Sequence, residues 1–128
     1  MQLILVIDYV RGARCGQRQI IDPLERVSFG RHPDNLVVFD AQADIDSSSR
    51  HAELVKEEGE FILRDIGSSN GTWVAGKRFH QRTLEEGEAL EVEFGKGGPV
   101  LRLWLGADAT HAPSPVLARR GLRRFLPW

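Results

Sequence analysis

Three short segments gather the side chains able to do chemistry. In the first, Gly30-Arg31-His32-Pro33-Asp34-Asn35, the Arg31 guanidinium can fork onto two anionic oxygens, beside a glycine that permits an unusual backbone turn. The second, residues 44–52, reads Asp-Ile-Asp-Ser-Ser-Ser-Arg-His-Ala, so three consecutive hydroxyls, Ser47, Ser48 and Ser49, precede Arg50 and His51. Such donors, with no bulky apolar group among them, are what a phosphate cradle requires. The third, residues 65–72, reads Asp-Ile-Gly-Ser-Ser-Asn-Gly-Thr and carries Asn70-Gly71, the strongest short hairpin signal. Each segment also has a plainer structural reading. Arg31 can be an exposed arginine on a surface turn, His51 a structural histidine whose hydrogen bonds tie loops together, and Asn70-Gly71 a turn alone.

Other chemistries fit these residues poorly. Ser48, His51 and Asp65 could be imagined as a hydrolase triad, but the chain has no GxSxG elbow, no helix to follow a nucleophile and no obvious oxyanion hole, so no catalytic residue is assigned. Cys15 is the single cysteine, too few for an internal disulfide or a cysteine-built zinc site. His32, His51, His80 and His111 lack ligand spacing, so neither a metal nor a cofactor is expected. One cysteine suits a reducing, cytoplasmic setting. The apolar run Leu3–Ile7 is short and has no basic segment ahead of it; it reads as a first strand, well under the ~18 residues of a membrane span.

The elements that must hold these loops are strands. Leu90, Val92 and Phe94 alternate with Glu91 and Glu93, and Leu101, Leu103 and Leu105 with Arg102 and Trp104, which is the period of half-buried antiparallel strands. Strands are predicted near 2–10, 17–22, 26–30, 36–39, 51–57, 60–66, 72–75, 81–84, 88–95 and 100–106, with no convincing helix before residue 110. The implied fold is all-β, a two-sheet antiparallel β-sandwich.

Gly30-Arg31, Ser48 with His51, Asp65, Ser68, Asn70-Gly71-Thr72 and Gly76, in this order on the loops of an all-β chain, resemble the forkhead-associated (FHA) domain over residues from about 2 to 106. The resemblance implies a sandwich of about ten or eleven strands that recognises phosphothreonine with loops at one end. Arg31 would pair with the phosphate, Ser48 and Ser69 would donate hydroxyls to it, and Asn70 would hold the peptide backbone. Gly30, His51, Gly71 and Thr72 would be structural. The chain departs from the pattern at Ser49, where many members carry Arg, Lys or Asn, so this phosphate contact is shortened or lost. It departs again at Ala75-Gly76, where Asn-Gly is usual. The partner implied is a threonine-phosphorylated protein or peptide, with an upstream Ser/Thr kinase, in signalling or regulated assembly. A phosphate-independent interaction module of the same fold is the alternative.

The net charge of -1 hides two unlike parts. Residues 1–106, the expected FHA domain, hold 13 Lys and Arg against 17 Asp and Glu, whereas 107–128, read as a linker and basic tail, hold 4 against 1. An acidic domain does not coat nucleic acid, and any anion it binds must be gripped locally. The tail, with Arg119, Arg120, Arg123 and Arg124 among apolar residues, is disordered or a short amphipathic helix, the only part expected to touch a membrane surface. Thr110 is a candidate phosphorylation site that the domain could bind in cis or in trans.

Overall fold

Period-two alternation becomes two facing sheets in the computed structural model, which describes residues 2–22 and 24–115. Eleven strands follow in order: β1 (Ile4–Arg11), β2 (Arg18–Ile21), β3 (Val27–Gly30), β4 (Val37–Val38), β5 (Ala52–Glu57), β6 (Glu60–Asp65), β7 (Thr72–Val74), β8 (Lys77–Phe79), β9 (Gln81–Leu84), β10 (Ala89–Phe94) and β11 (Val100–Gly106). One sheet has the order β2-β1-β11-β10-β7-β8 and the other β4-β3-β5-β6-β9. The pairings are antiparallel except β3 with β4, which is parallel. Leu5 and Ile7 of β1, Leu103 of β11, Leu54 of β5 and Leu63 of β6 are fully buried between the sheets. Each such side chain contributes about 1.5–3 kcal/mol by leaving water. No helix among the described residues is long and apolar enough to cross a membrane.

The strand that periodicity passed over is β8. It is three residues long, with Lys77 and Arg78 exposed, so it carries no alternation to detect. What creates it is the turn: Val74 pairs with Lys77 across a two-residue loop, Ala75-Gly76, in which both residues have positive φ (+51° and +77°). That backbone twist suits a tight hairpin, but the left-handed region is strained for alanine.

At one end of the core, three phenylalanines form a platform. Phe94 stacks on Phe29 at 5.2 Å between centroids and meets Phe39 at 5.1 Å. The His51 ring stands edge-on to Phe94 at 5.5 Å, so the apolar core directly supports the loops at that end.

The outer face of the larger sheet is also covered. Arg102 and Trp104, which alternation turns away from the core, are buried. Residues 107–115, read from sequence as the start of a linker, fold back over this face through a 3-10 turn at Ala109–His111, with Ala109 and Ala112 packed on Ile4, Val6 and Trp104. Beneath them lies Asp8, only 2% exposed, whose carboxylate takes Arg18 Nε at 2.7 Å and Arg102 NH2 at 2.7 Å. The same guanidiniums donate to the carbonyls of Pro113 and Ser114. Burial pushes the Asp8 carboxyl up, but the hydrogen bonds from Arg18 and Arg102 outweigh it and hold it below the usual range. The remainder of the expected tail, 116–128, lies outside the described residues.

Two measurements check this account. Asp8→Ala lowers unfolding stability by about 3 kcal/mol in urea titrations, toward the low end for breaking a buried pair because Arg18 stays partly in water. Ala75→Asn raises stability by about 0.5–1 kcal/mol, since asparagine tolerates the left-handed turn.

Candidate functional site

All three loops singled out in the sequence meet at the end of the sandwich above the phenylalanine platform. Gly30 closes β3 where two backbones touch: a side-chain carbon there would collide with the Ser49 carbonyl, so only glycine allows the approach. Across this contact the Arg31 and His32 amides donate to the carbonyls of Ser48 and Ser49, each at 3.0 Å. Asn35 strengthens the seam. It is buried, and its amide donates to the carbonyls of His32 and Ser49, both at 2.8 Å.

The Arg31 side chain is half-buried and turns toward the second loop. Its Nε donates to the Ser47 carbonyl at 2.8 Å and NH1 to Ala41 at 3.4 Å. Among the described residues no carboxylate lies within ion-pair distance of it, whereas Arg50 reaches Asp34 at 3.8 Å. Ser47 is held by its own hydroxyl, which donates to the Asp44 carbonyl at 2.6 Å. Asp44 is buried and has no ion-pair partner among the described residues. Its carboxylate accepts the amides of Ala13 and Asp40, fastening the loop to the β1–β2 turn.

His51 joins the second loop to the third. The ring is fully buried. Its Nδ1 accepts the Ser48 amide at 3.0 Å and so carries no proton; Nε2–H therefore donates to the Gly71 carbonyl at 2.9 Å, with Thr72 Oγ1 at 3.1 Å. Thr72 in turn donates to Asp65 at 2.6 Å, and Asp65 also takes the Ser68 hydroxyl and the amides of Gly67 and Ser68. Burial pushes the Asp65 carboxyl up, yet these hydrogen bonds hold it below the usual range. Ser48, His51 and Asp65 thus form no triad, since the imidazole meets the Ser48 amide rather than its hydroxyl.

Four residues with open polar groups lie on these loops. Ser48 Oγ accepts the Ser69 amide at 3.0 Å, which leaves its hydroxyl proton to donate elsewhere. Ser49 and Ser69 are exposed. Asn70 donates to the Asp46 carbonyl at 3.0 Å, so its own side-chain oxygen is free to accept. Sequence reasoning passed over Asn35, Asp44 and Trp73, whose indole donates to the Asn70 carbonyl at 2.8 Å. Polar residues in a turn give no periodic sign of burial, and the pattern around Trp73 indicates a strand and nothing of its contact with Asn70.

A family model for the FHA domain matches residues 27–93. The glycogen accumulation regulator GarA of Mycolicibacterium smegmatis is 41% identical over 86 residues, 67% of this chain and 51% of that protein. An oxoglutarate dehydrogenase inhibitor of Corynebacterium efficiens is 37% identical over the same length, 67% of this chain and 56% of that protein. The chain thus spans about half the length of these relatives. Among solved structures, an FHA domain of an Arabidopsis thaliana hypothetical protein has a TM-score of 0.70 at 21% identity, covering 84% of this chain and 89% of that one. FHA-1 of Mycobacterium tuberculosis Rv1747 has a TM-score of 0.66 at 21% identity, covering 83% and 99%.

His51 sets a pH dependence whose sign follows from its bonds. Burial, the largest influence, holds its folded pKa below the ordinary 6.5, although the Gly71 carbonyl and Asp65 pull the other way. The unfolded chain therefore takes up the proton first as pH falls. This contribution is complete above about pH 6.5 and is lost progressively below it. Melting temperature falls through this window, and the slope flattens in His51→Gln; Asp65, with its lowered pKa, adds a second loss below about pH 4.

Proposed function

The chain belongs to the FHA domain family, and from that premise we propose that it binds threonine-phosphorylated protein segments at the Arg31–Ser48–Ser69–Asn70 end of the sandwich. The observation that carries this reading is the state of Arg31. Its guanidinium is oriented by two main-chain carbonyls and neutralised by no carboxylate, so its charge is available to an arriving dianion. Ser48 supplies a hydroxyl that accepts the Ser69 amide and keeps its own proton to donate. Ser69 adds a second hydroxyl, and Asn70 offers its free side-chain oxygen to the peptide backbone. Ser49 reaches less far than the longer side chains usual at this place, so the phosphate is held mainly from the Arg31 and Ser48 side. Gly30, His51, Gly71 and Thr72 shape the loops and do not touch the ligand.

The unit doing this is the FHA domain of residues 1–106, with residues 107–115 as the cover of its outer face. It works by binding and not by catalysis, because both ring nitrogens of His51 are committed to the loops. Relatives named as a glycogen accumulation regulator and an oxoglutarate dehydrogenase inhibitor support a regulatory role, and a phosphothreonine ligand requires an upstream Ser/Thr kinase to make it. Cys15, exposed and unpaired, supports a cytoplasmic setting.

Titration of a phosphothreonine peptide library and its unphosphorylated twin tests the reading. The phosphorylated set binds, the twin does not, and Arg31→Ala weakens binding by about 2 kcal/mol or more, roughly thirtyfold in Kd. Phosphoserine versions bind about fourfold more weakly, the worth of one buried methyl group. Equal binding of the twins, or an Arg31→Ala variant with unchanged Kd, overturns the proposal in favour of a phosphate-independent module.

A further inference from the structure

Beside Asn70 the molecule carries positive charge that the phosphate pocket does not use. Trp73 of β7 pairs with Arg78 of β8, so both side chains leave the sheet on the same face. Residue 71 is glycine, and a side-chain carbon there would stand 2.6 Å from Arg78 Nε and 3.0 Å from Trp73 Nε1. The guanidinium therefore lies directly against the loop that bears Ser69 and Asn70. The indole is fixed there by its hydrogen bond to the Asn70 carbonyl, and the Lys96 ammonium, from the β10–β11 turn, sits 4.8 Å from the indole centroid.

Arg78 and Lys96 are exposed and form no ion pair among the described residues, whereas Arg26 has Glu53, Arg64 has Glu57, Arg82 has Glu88, and Arg18 and Arg102 share Asp8. The acidic groups on this side are Glu93 and Asp46. Glu93 is taken by Arg11 at 2.6 Å and by the Gly97 amide at 2.8 Å, with the Lys96 charge farther off also favouring its ionised form; the Asp46 carboxylate lies near Gly97. Two exposed cations without an ion-pair partner among the described residues thus flank the loops beside an indole, in a domain that is acidic as a whole.

We infer that Arg78 and Lys96, arranged about Trp73, bind an anionic side chain on the same peptide whose phosphothreonine enters the Arg31 pocket, so that the preferred partner segment carries an acidic or second phosphorylated residue close to the phosphothreonine. The inference rests on the phosphothreonine reading above. A peptide backbone held at Asn70 passes Gly71 with Arg78 at its side, and at about 3.3 Å per residue a side chain two or three positions away reaches the guanidinium. Because both cations are exposed, the gain is modest and fades with salt.

The test is a positional scan of phosphothreonine peptides read by fluorescence anisotropy. Glutamate, or in a second arm phosphoserine, replaces alanine at each of the four or so positions on either side. At one position glutamate tightens binding about threefold to fivefold at low salt, the scale of an exposed ion pair, and the gain disappears near 1 M salt. A gain in the phosphoserine arm alone assigns the ligand as a doubly phosphorylated segment. Arg78→Glu and Lys96→Glu invert the preference, so that lysine at that position then outperforms glutamate; an inverted preference cannot come from a variant that merely misfolds. The inference is overturned if no position favours an anion in either arm, or if both charge reversals keep the original preference. Failure of the parent reading is separate and visible in the same assay, as equal binding of phosphorylated and unphosphorylated alanine-flanked peptides.

Discussion

The recognition end depends on the imidazole of His51 remaining neutral and buried. Two loops must be held in register there, and the groups they present to each other are an amide N–H from Ser48 and a carbonyl from Gly71, one donor and one acceptor. A neutral imidazole satisfies both at once because its two nitrogens have opposite roles. Protonation would turn Nδ1 into a donor facing the Ser48 donor, and would leave a charge among Phe29, Phe39 and Phe94. The rest follows from this brace. With Ser48 fixed from below, its hydroxyl can accept the Ser69 amide from the side, so one contact sets the position of both serines.

The chain also separates holding an arginine from neutralising it. Most arginines among the described residues reach a carboxylate, as Arg64 does Glu57 and Arg18 Asp8. Arg31 is positioned by the carbonyls of Ser47 and Ala41, which orient the guanidinium without cancelling its charge. A carboxylate in their place would compete with any phosphate for the same N–H groups, and its displacement would cost binding energy. Such carbonyls are available only because the second loop is drawn close to β3, which in turn requires Gly30 and the buried amide of Asn35. The site is therefore assembled chiefly from main chain.

That construction explains what could be read in advance. Alternation along β10 and β11 is a local property, and those strands stand where periodicity puts them; the Asn70-Gly71 pair marks a turn but no hairpin, because it carries the chain from β6 in one sheet to β7 in the other. Arg31, Ser48, Ser69 and Asn70 were legible as a group because their types and spacing match a known pattern. Asn35 and Asp44 were not, since each also fastens its turn to the backbone of another loop, Asn35 to Ser49 and Asp44 to Ala13, and a polar residue in a turn looks the same whether buried or exposed. Strand β8 escaped for a related reason: it exists because a turn folds it onto β7, with two cationic residues where alternation would need an apolar one. The covered outer face was hidden too, as Arg102 and Trp104 in β11 read as solvent-facing until residues 107–115 are seen to lie over them.

The outer cluster shows why that cover is polar as well as apolar. Two guanidiniums share the single carboxylate of Asp8, which leaves an excess of positive charge next to Val6 and Trp104, in a setting where an unpaired charge is costly. The carbonyls of Pro113 and Ser114 supply the missing acceptors, one to each arginine. Ala109 and Ala112 seal the neighbouring apolar surface, being small enough to let the returning backbone approach. Arg102 Nε still finds no partner, so the compensation is incomplete. A segment that reads in sequence as a featureless run of alanine, proline and serine is therefore suited to this face: its backbone carbonyls meet the arginines while its small side chains pack beside Trp104.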